Sequence, residues 1–485
     1  MSVYLGLAHQ FIAGQWTVGQ SHKTIQNINP FTQKEIFSLH AANHTDVNAA
    51  YEAALDCFMQ GALVCVQERR SIIENLLEVM QRRREEIIDW LINESGSTRI
   101  KANIEVDAAL GIVQESLSFP EKTTTESLES PDPTRKSFFI RKPLGVIAVI
   151  SPWNFPFHLS MRSVVTAIAC GNTVVLKPAS DTPVTGGTLL GKLFEEANLP
   201  PGALNVVVGA GSEIGDYFVE HPIPKMISFT GSTEVGQSVA SKALSSSRIK
   251  RLALELGGNA PLVILDDADV DLAVELTMKG RFMHQGQICM STNRVIVDAG
   301  IHDAFIAKLV EQVKNLPKGD PSLANTIIGP IINQNQVEKH RAIIEHAKQL
   351  GAELIYEGGI EGNVVAPHIF TRVDPYFEIA QEESFGPILP IIIAHDESHA
   401  LELANNSRFG LSSAVCTRNI ERGLAFAEGI DVGMTHINGI TVADHANAPF
   451  GGEKNSGLGR FNGRWIFEEF TRTHWMTTPI TKSIT

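Results

Sequence analysis

Three side chains that together can process a carbonyl carbon stand in suggestive surroundings. Cys289 lies in Phe282-Met-His-Gln-Gly-Gln-Ile-Cys-Met-Ser291. A thiolate attacks a carbonyl carbon far better than a hydroxyl does and leaves readily from a thioester. Gly286 lets this loop approach a reactant closely. Glu255 precedes paired glycines in Glu255-Leu-Gly-Gly-Asn259, where a carboxylate at a strand end can act as a mobile general base. Asn154, in Pro152-Trp-Asn-Phe-Pro156, can donate its amide to a developing oxyanion. Taken singly, each also suits a bland role: a buried small residue, an edge carboxylate and a turn cap.

Four further stretches carry glycine turns or a strand-end cation. Lys177-Pro178 ends an apolar run, and its ammonium could hold a ribose hydroxyl or a phosphate. Phe229-Thr-Gly231-Ser232-Thr-Glu-Val-Gly236 reads as strand, turn and helix start, where free N–H groups bind phosphate. Glu383-Ser-Phe385-Gly-Pro387 and Pro449-Phe450-Gly-Gly-Glu-Lys-Asn-Ser-Gly457 are loops able to line a site. Gly209-Ala-Gly-Ser-Glu-Ile-Gly215 has one residue too many for the G-x-G-x-x-G fingerprint and reads as a turn.

The elements that must position these residues follow from hydrophobic period. Short strands and turns occupy 10–40, and helices are expected over 45–60, 67–96 and 104–118. Residues 120–143 are rich in Pro, Ser and Thr and form either an extended arm or a linker. From 144 onward, apolar strands at 145–150, 173–176, 204–208, 226–229 and 251–255 alternate with helices. That pattern predicts a parallel sheet covered on both faces, an α/β fold. A second α/β run starts near 260, with strands at 262–265 and 294–297 and a helix over 268–283 leading into the Cys289 loop. The tail at 474–482 is β-prone and apolar, an edge strand able to take a partner chain.

Composition bounds the possibilities. The chain has 485 residues, 43% hydrophobic and 19% charged, enough for two or three domains. A net charge of −14 argues against nucleic acid or an acidic membrane as partner. The five cysteines are odd in number and not in metal-ligand spacing, so neither a disulfide framework nor a metal site is expected. No signal peptide or membrane span is evident in the sequence, and the cytoplasm is the expected location.

Taken in order, these blocks resemble the NAD(P)-dependent aldehyde dehydrogenase superfamily over nearly the whole chain. The stretches 205–215 and 284–290 are most similar to its bacterial benzaldehyde and vanillin dehydrogenase branch. The resemblance implies Cys289 as nucleophile, Glu255 as base and Asn154 as oxyanion donor, acting through a thiohemiacetal and a thioester. It implies Trp153 and Lys177 near the adenosine side of the cofactor, Gly231 and Ser232 at the pyrophosphate, and Glu383 and Phe385 at the nicotinamide ribose. Many NAD-preferring members carry Glu three residues after the lysine. Here Ser180 stands there, so NAD or NADP is expected, without a ranking. The implied domains are 1–122 with 144–254 for cofactor binding, 255–462 for catalysis, and 123–143 with 463–485 as a bridging element of a homodimer or homotetramer.

The implied substrate tunnel comprises Phe157, Met161, Phe282, Met283, Ile288, Met290 and Phe450. It is apolar, partly aromatic, and offers no Arg or Lys for a carboxylate. An aromatic aldehyde is therefore expected, with a medium-chain aliphatic aldehyde as the alternative. A CoA-acylating variant is disfavoured by Glu255. A cofactor-independent thiol esterase would need a histidine beside Cys289, and His284 is the near one in sequence.

Overall fold

The computed structural model describes residues 6–480. Residues 1–5, and residues 481–485 of the predicted tail and bridging span, lie outside the described residues. Two large sheets carry the structure. The first orders its strands Gln15–Thr17, Gln10–Ile12, Leu204–Val206, Thr173–Lys177, Val146–Ile150, Met226–Thr230, Arg251–Glu255 and Gly457–Leu458. The five strands from Leu204–Val206 to Arg251–Glu255 are parallel, and the flanking pairs are antiparallel. Four of these five are wholly or almost wholly buried, which accounts for their near-continuous apolar sequences.

Chain order runs outward from Val146–Ile150 on one side, then returns to place Met226–Thr230 on the other. A reversal of this kind opens a crevice at the carboxyl ends of the two central strands. Those ends lead into Ser151–Asn154 and into Gly231-Ser232.

The second sheet orders Glu353–Glu357, His368–Thr371, Ile388–Ala394, Thr292–Asp298, Ala260–Ile264, Ser412–Cys416 and Met434–Ile437. All its pairs but the first are parallel. Glu255–Gly258, Cys289 and Glu383–Gly386 immediately precede the strands that start at Ala260, Thr292 and Ile388. The site is therefore built where the carboxyl end of the first sheet meets the amino end of the second.

The region at 120–143 is an arm rather than a plain linker. Thr125–Leu128 and Arg135–Pro143 form a three-stranded antiparallel sheet with Thr471–Pro479, which lies at its edge. The helix expected over 67–96 is two helices, Val66–Arg82 and Arg84–Ser95. They break at Arg83, whose guanidinium reaches across to Glu196 at 3.2 Å. Within the Gly209–Gly215 turn, Gly211–Gly215 is helical and leads into the helix Asp216–Glu220. No helix among the described residues is long and apolar enough to cross a membrane.

Arg294 anchors the second sheet. It is fully buried and donates to backbone carbonyls alone: Asn259 at 3.3 Å, Leu403 and Ala404 at 3.0 Å, and Asn406 at 3.3 Å. Three of these belong to the carboxyl end of the helix Glu397–Asn405 or follow it, where a cation is favoured. Arg294→Met would leave these acceptors without their donor, at about 3 kcal/mol. The thermal unfolding midpoint of that variant should fall by several degrees, and an unchanged midpoint would contradict the assignment.

Candidate active site

The Cys289 loop begins where the helix Val270–Phe282 stops. His284, Gln285 and Gly286 follow with φ of 48°, 56° and 73°. For the two non-glycine residues this conformation costs about 1–2 kcal/mol each. It is held by Gln285 Nε2 donating to the Pro330 carbonyl at 2.8 Å and by Ile332 N donating to Gln287 Oε1 at 3.1 Å. Gly286 also passes so close to the Gly386 carbonyl oxygen that a β-carbon there would collide with it. Arg281 ties the same two loops together. It donates to Ser291 Oγ and Asn293 Oδ1 at 3.2 Å, and to Ser384 Oγ and the Gly386 carbonyl.

The Glu255–Gly258 turn runs beneath this loop. A β-carbon at Gly258 would strike the Cys289 carbonyl oxygen, and one at Gly257 would lie 2.6 Å from Glu383 Oε2. The paired glycines thus allow nucleophile, base and Glu383 to share one small volume. Glu255 is fully buried. Its Oε2 accepts from Arg162 Nη2 at 3.4 Å, and the Cys289 thiol also hydrogen-bonds this carboxylate. Arg162 is itself fully buried and lies over the rings of Phe450 and Phe461, at 4.8 and 4.3 Å from their centroids.

Electrostatics follow from this crowding. Removal from water pushes the Cys289 thiol well above its ordinary range, and the Glu255 and Glu383 carboxylates push it further; Arg162 opposes them. Burial likewise raises Glu255, again against Arg162. Glu383, which accepts from Gly258 N at 3.1 Å, is pushed up to about 8, mainly by burial. His284 does not act on the thiol. It packs edge-on to Phe155, and burial holds it well below the usual histidine range.

Asn154 is buried, and its Nδ2 donates to the Gln287 carbonyl at 2.9 Å. A primary amide has two hydrogens, so this bond fixes the plane and leaves one donor uncommitted. Two cavities meet at Asn154, Leu159 and Cys289. One, of about 290 Å³, is lined by Trp153, Gly231, Ser232, Glu255, Glu383 and Phe385, among others. The other, of about 320 Å³, is mostly apolar and includes Phe155, Met283, Ile288, Met290, Val442 and Phe450.

The first cavity gathers Trp153, Gly231, Ser232, Glu383 and Phe385 as the sequence suggests. Lys177 and Ser180 lie outside it, at the end of the neighbouring strand Thr173–Lys177. In the second cavity, Met283, Ile288, Met290 and Phe450 are wall residues, but Phe157, Met161 and Phe282 are not. These three are fully buried in the core. The helix Pro156–Ala169 is buried around its whole circumference, so hydrophobicity does not reveal its phase. Helical spacing instead directs Phe155, His158, Leu159 and Arg162 to the site side (i, i+3, i+4, i+7). Sequence reasoning missed His158 and Asp444, which pair at 3.1 Å beside the second cavity, and also Arg162. The helical spacing from Asn154-Phe155 was the signal available for His158 and Arg162.

A family description, "Aldehyde dehydrogenase family", matches residues 16–476. The chain belongs to the aldehyde dehydrogenase family. It is 52% identical over 465 residues to a vanillin dehydrogenase of Corynebacterium glutamicum, with 96% of each chain covered. It is 44% identical over 477 residues to a benzaldehyde dehydrogenase of Bacillus subtilis, with 98% of each covered. Among solved structures, an NAD-dependent benzaldehyde dehydrogenase from Corynebacterium glutamicum superposes with a TM-score of 0.91 at 48% identity, covering 100% of this chain and 99% of that one.

The residues present fit the nicotinamide dinucleotide of an aldehyde dehydrogenase. Ser232 caps the helix Thr233–Ser245, whose first N–H groups have no partner within the helix and suit a phosphate. Trp153 and Phe385, edge to face with centroids 5.3 Å apart, give the cavity an aromatic end. Lys177 is buried with its Nζ only 3.4 Å from the Pro178 carbonyl and in no ion pair among the described residues, so the ammonium is left for a ligand. Burial lowers Lys177 to about 8. The ammonium is charged below that pH and neutral above it, and a ribose hydroxyl or phosphate acceptor favours the charged form. Nucleotide affinity should therefore weaken several-fold between about pH 7 and pH 9, and Lys177→Met should weaken binding and flatten that dependence. A wild-type dissociation constant that ignores pH over this range would contradict the role of Lys177.

Proposed function

We propose that this enzyme oxidises an aromatic aldehyde to its carboxylic acid with NAD or NADP. The observation that carries the reading is Cys289 at the junction of two cavities, with Glu255 beside it and Asn154 opposite. The mostly apolar cavity, with Phe155 and Phe450 in its walls, suits a flat hydrophobic ring. The vanillin and benzaldehyde dehydrogenases among the relatives support the same class.

Cys289 Sγ adds to the aldehyde carbon as its proton passes to Glu255, the adjacent carboxylate. The carbonyl oxygen becomes an oxyanion, received by the uncommitted N–H of Asn154 and the backbone N–H of Cys289. The nicotinamide cofactor, when bound, supplies the acceptor for the aldehyde hydrogen as hydride, and a thioester remains on Cys289. Gly231, Ser232, Lys177, Ser180, Trp153, Glu383 and Phe385 would hold that cofactor. Glu255 gives the thiol proton up to solvent, then takes a proton from the water that adds to the thioester; it returns that proton to the Cys289 sulfur as the C–S bond breaks, and the acid leaves. Arg162 keeps a positive charge against Glu255 throughout.

Hydrolysis without nucleotide gains no support, because Glu255, Glu383 and Arg162 act on the thiol and His284 does not. The first sheet, with 1–122 and 144–254, serves the cofactor, and 255–462 serves catalysis. Residues 123–143 and 463–485 join copies of the chain into a homodimer or homotetramer in the cytoplasm. The edge position of Thr471–Pro479 and the two-thirds exposure of Trp475 (67%) support that association.

Reduced-nicotinamide formation with benzaldehyde, vanillin and hexanal, each with NAD and with NADP, tests the substrate class. An aryl aldehyde should lead hexanal by about tenfold or more in kcat/KM, roughly 1.4 kcal/mol of discrimination. A lead by hexanal would overturn the aromatic reading and keep the reaction type.

A further inference from the structure

A buried ion pair on the helix Arg99–Ser116 grips the segment that carries Asn154. Lys101 and Glu105 are one turn apart, and their side chains are about 1% and 0% exposed. Lys101 Nζ donates to Glu105 Oε2, to Ser97 Oγ at 2.9 Å and to the Asn154 carbonyl at 2.7 Å. Its three hydrogens are thereby committed, and it also lies 4.1 Å from the centroid of the Phe155 ring. Glu105 Oε1 accepts from the backbone N–H of Phe157 at 2.9 Å and of His158 at 3.1 Å. The helix Pro156–Ala169 has no capping side chain of its own at Phe155. Glu105 caps it from another helix, with a carboxylate at the positive end of the dipole.

The backbone around Asn154 is thus pinned at one carbonyl and two N–H groups by a single pair. The Asn154 amide itself makes one hydrogen bond among the described residues, to the Gln287 carbonyl. An apolar pair of equal volume would serve stability as well as a buried ion pair does. What an apolar pair lacks is direction: one ammonium hydrogen aimed at the Asn154 carbonyl and one carboxylate oxygen aimed at the Phe157 and His158 N–H groups.

We infer that Lys101 and Glu105 are positioning residues that set the aim of the Asn154 amide at the oxyanion. This rests on the reading of Asn154 as the oxyanion donor. The pair lines neither cavity itself and reaches the site through the Asn154–His158 segment. An amide misplaced by a fraction of an ångström loses most of its value to a developing charge.

A double-mutant cycle on aldehyde oxidation tests the inference, with nucleotide dissociation constants measured in parallel. Asn154→Ala alone should lower kcat by about 10²–10³-fold. Lys101→Met should lower kcat by on the order of tenfold or more in the wild-type background, with nucleotide affinity unchanged. In the Asn154→Ala background it should cost less than about twofold, since nothing remains to be aimed. Equal losses in both backgrounds would mean a general structural role and would overturn the inference, as would no loss in the wild-type background. Full activity of Asn154→Ala by itself would remove the oxyanion reading, and the inference with it. Glu105→Gln keeps an oxygen for the Phe157 and His158 N–H groups while removing the charge that holds Lys101. The same cycle with Glu105→Gln decides the matter if Lys101→Met does not fold.

Discussion

A thiol and two carboxylates share one small, mostly buried volume, with two buried guanidiniums to offset them, Arg162 for Cys289 and Glu255 and Arg281 for Glu383. Cys289, Glu255 and Glu383 all resist ionisation there, and Arg162 is the cation that opposes this for the first two. Neighbouring acids in a low-dielectric site cannot all be charged, so they hold protons between them. The resting site therefore keeps the nucleophile protonated and places its proton acceptor alongside. A carboxylate that receives the thiol proton and passes it to solvent can later receive one from water, so the same two residues serve both halves of the proposed reaction.

Such crowding needs backbone that can come close. Gly257 and Gly258 let one strand end slide under the Cys289 carbonyl and against Glu383, and Gly286 lets the nucleophile loop meet Gly386. The two sheets supply these segments from opposite ends, carboxyl ends from the first and amino ends from the second. Buried arginines then fix the loops through carbonyl and hydroxyl oxygens rather than carboxylates: Arg281 for the Cys289 and Ser384–Gly386 loops, Arg294 for the start of the second sheet. The position of the site thus follows from topology, and its precision from a few buried donors.

Much of this was legible in the sequence. Continuous apolar strands alternating with helices announced the parallel sheets, and Cys289, Glu255 and Asn154 stood out because each adjoined a glycine or proline turn at an element's end. Phe157 and Met161 misled, because a helix buried on every side shows no apolar stripe from which to read its orientation, and Phe282 misled because the last residue of the helix Val270–Phe282 turns into the core of the second sheet. Lys101, Glu105 and Arg162 were hidden for a related reason. Charged residues on a helix ordinarily mark its wet face, and only tertiary packing reveals these as buried. His158 and Asp444 meet across 286 positions of sequence, a distance no local pattern spans.

The central claim is that Cys289 carries the acyl group and Glu255 releases it. The most direct measurement is the intact mass of Glu255→Gln after mixing with an aryl aldehyde and the nicotinamide nucleotide. The account predicts that acylation slows while deacylation stops, so that a covalent acyl adduct builds up and persists, mapped by peptide to Cys289 and absent from Glu255→Gln combined with Cys289→Ala. Deacylation of Glu255→Gln at the wild-type rate, or an adduct that survives loss of Cys289, would contradict it.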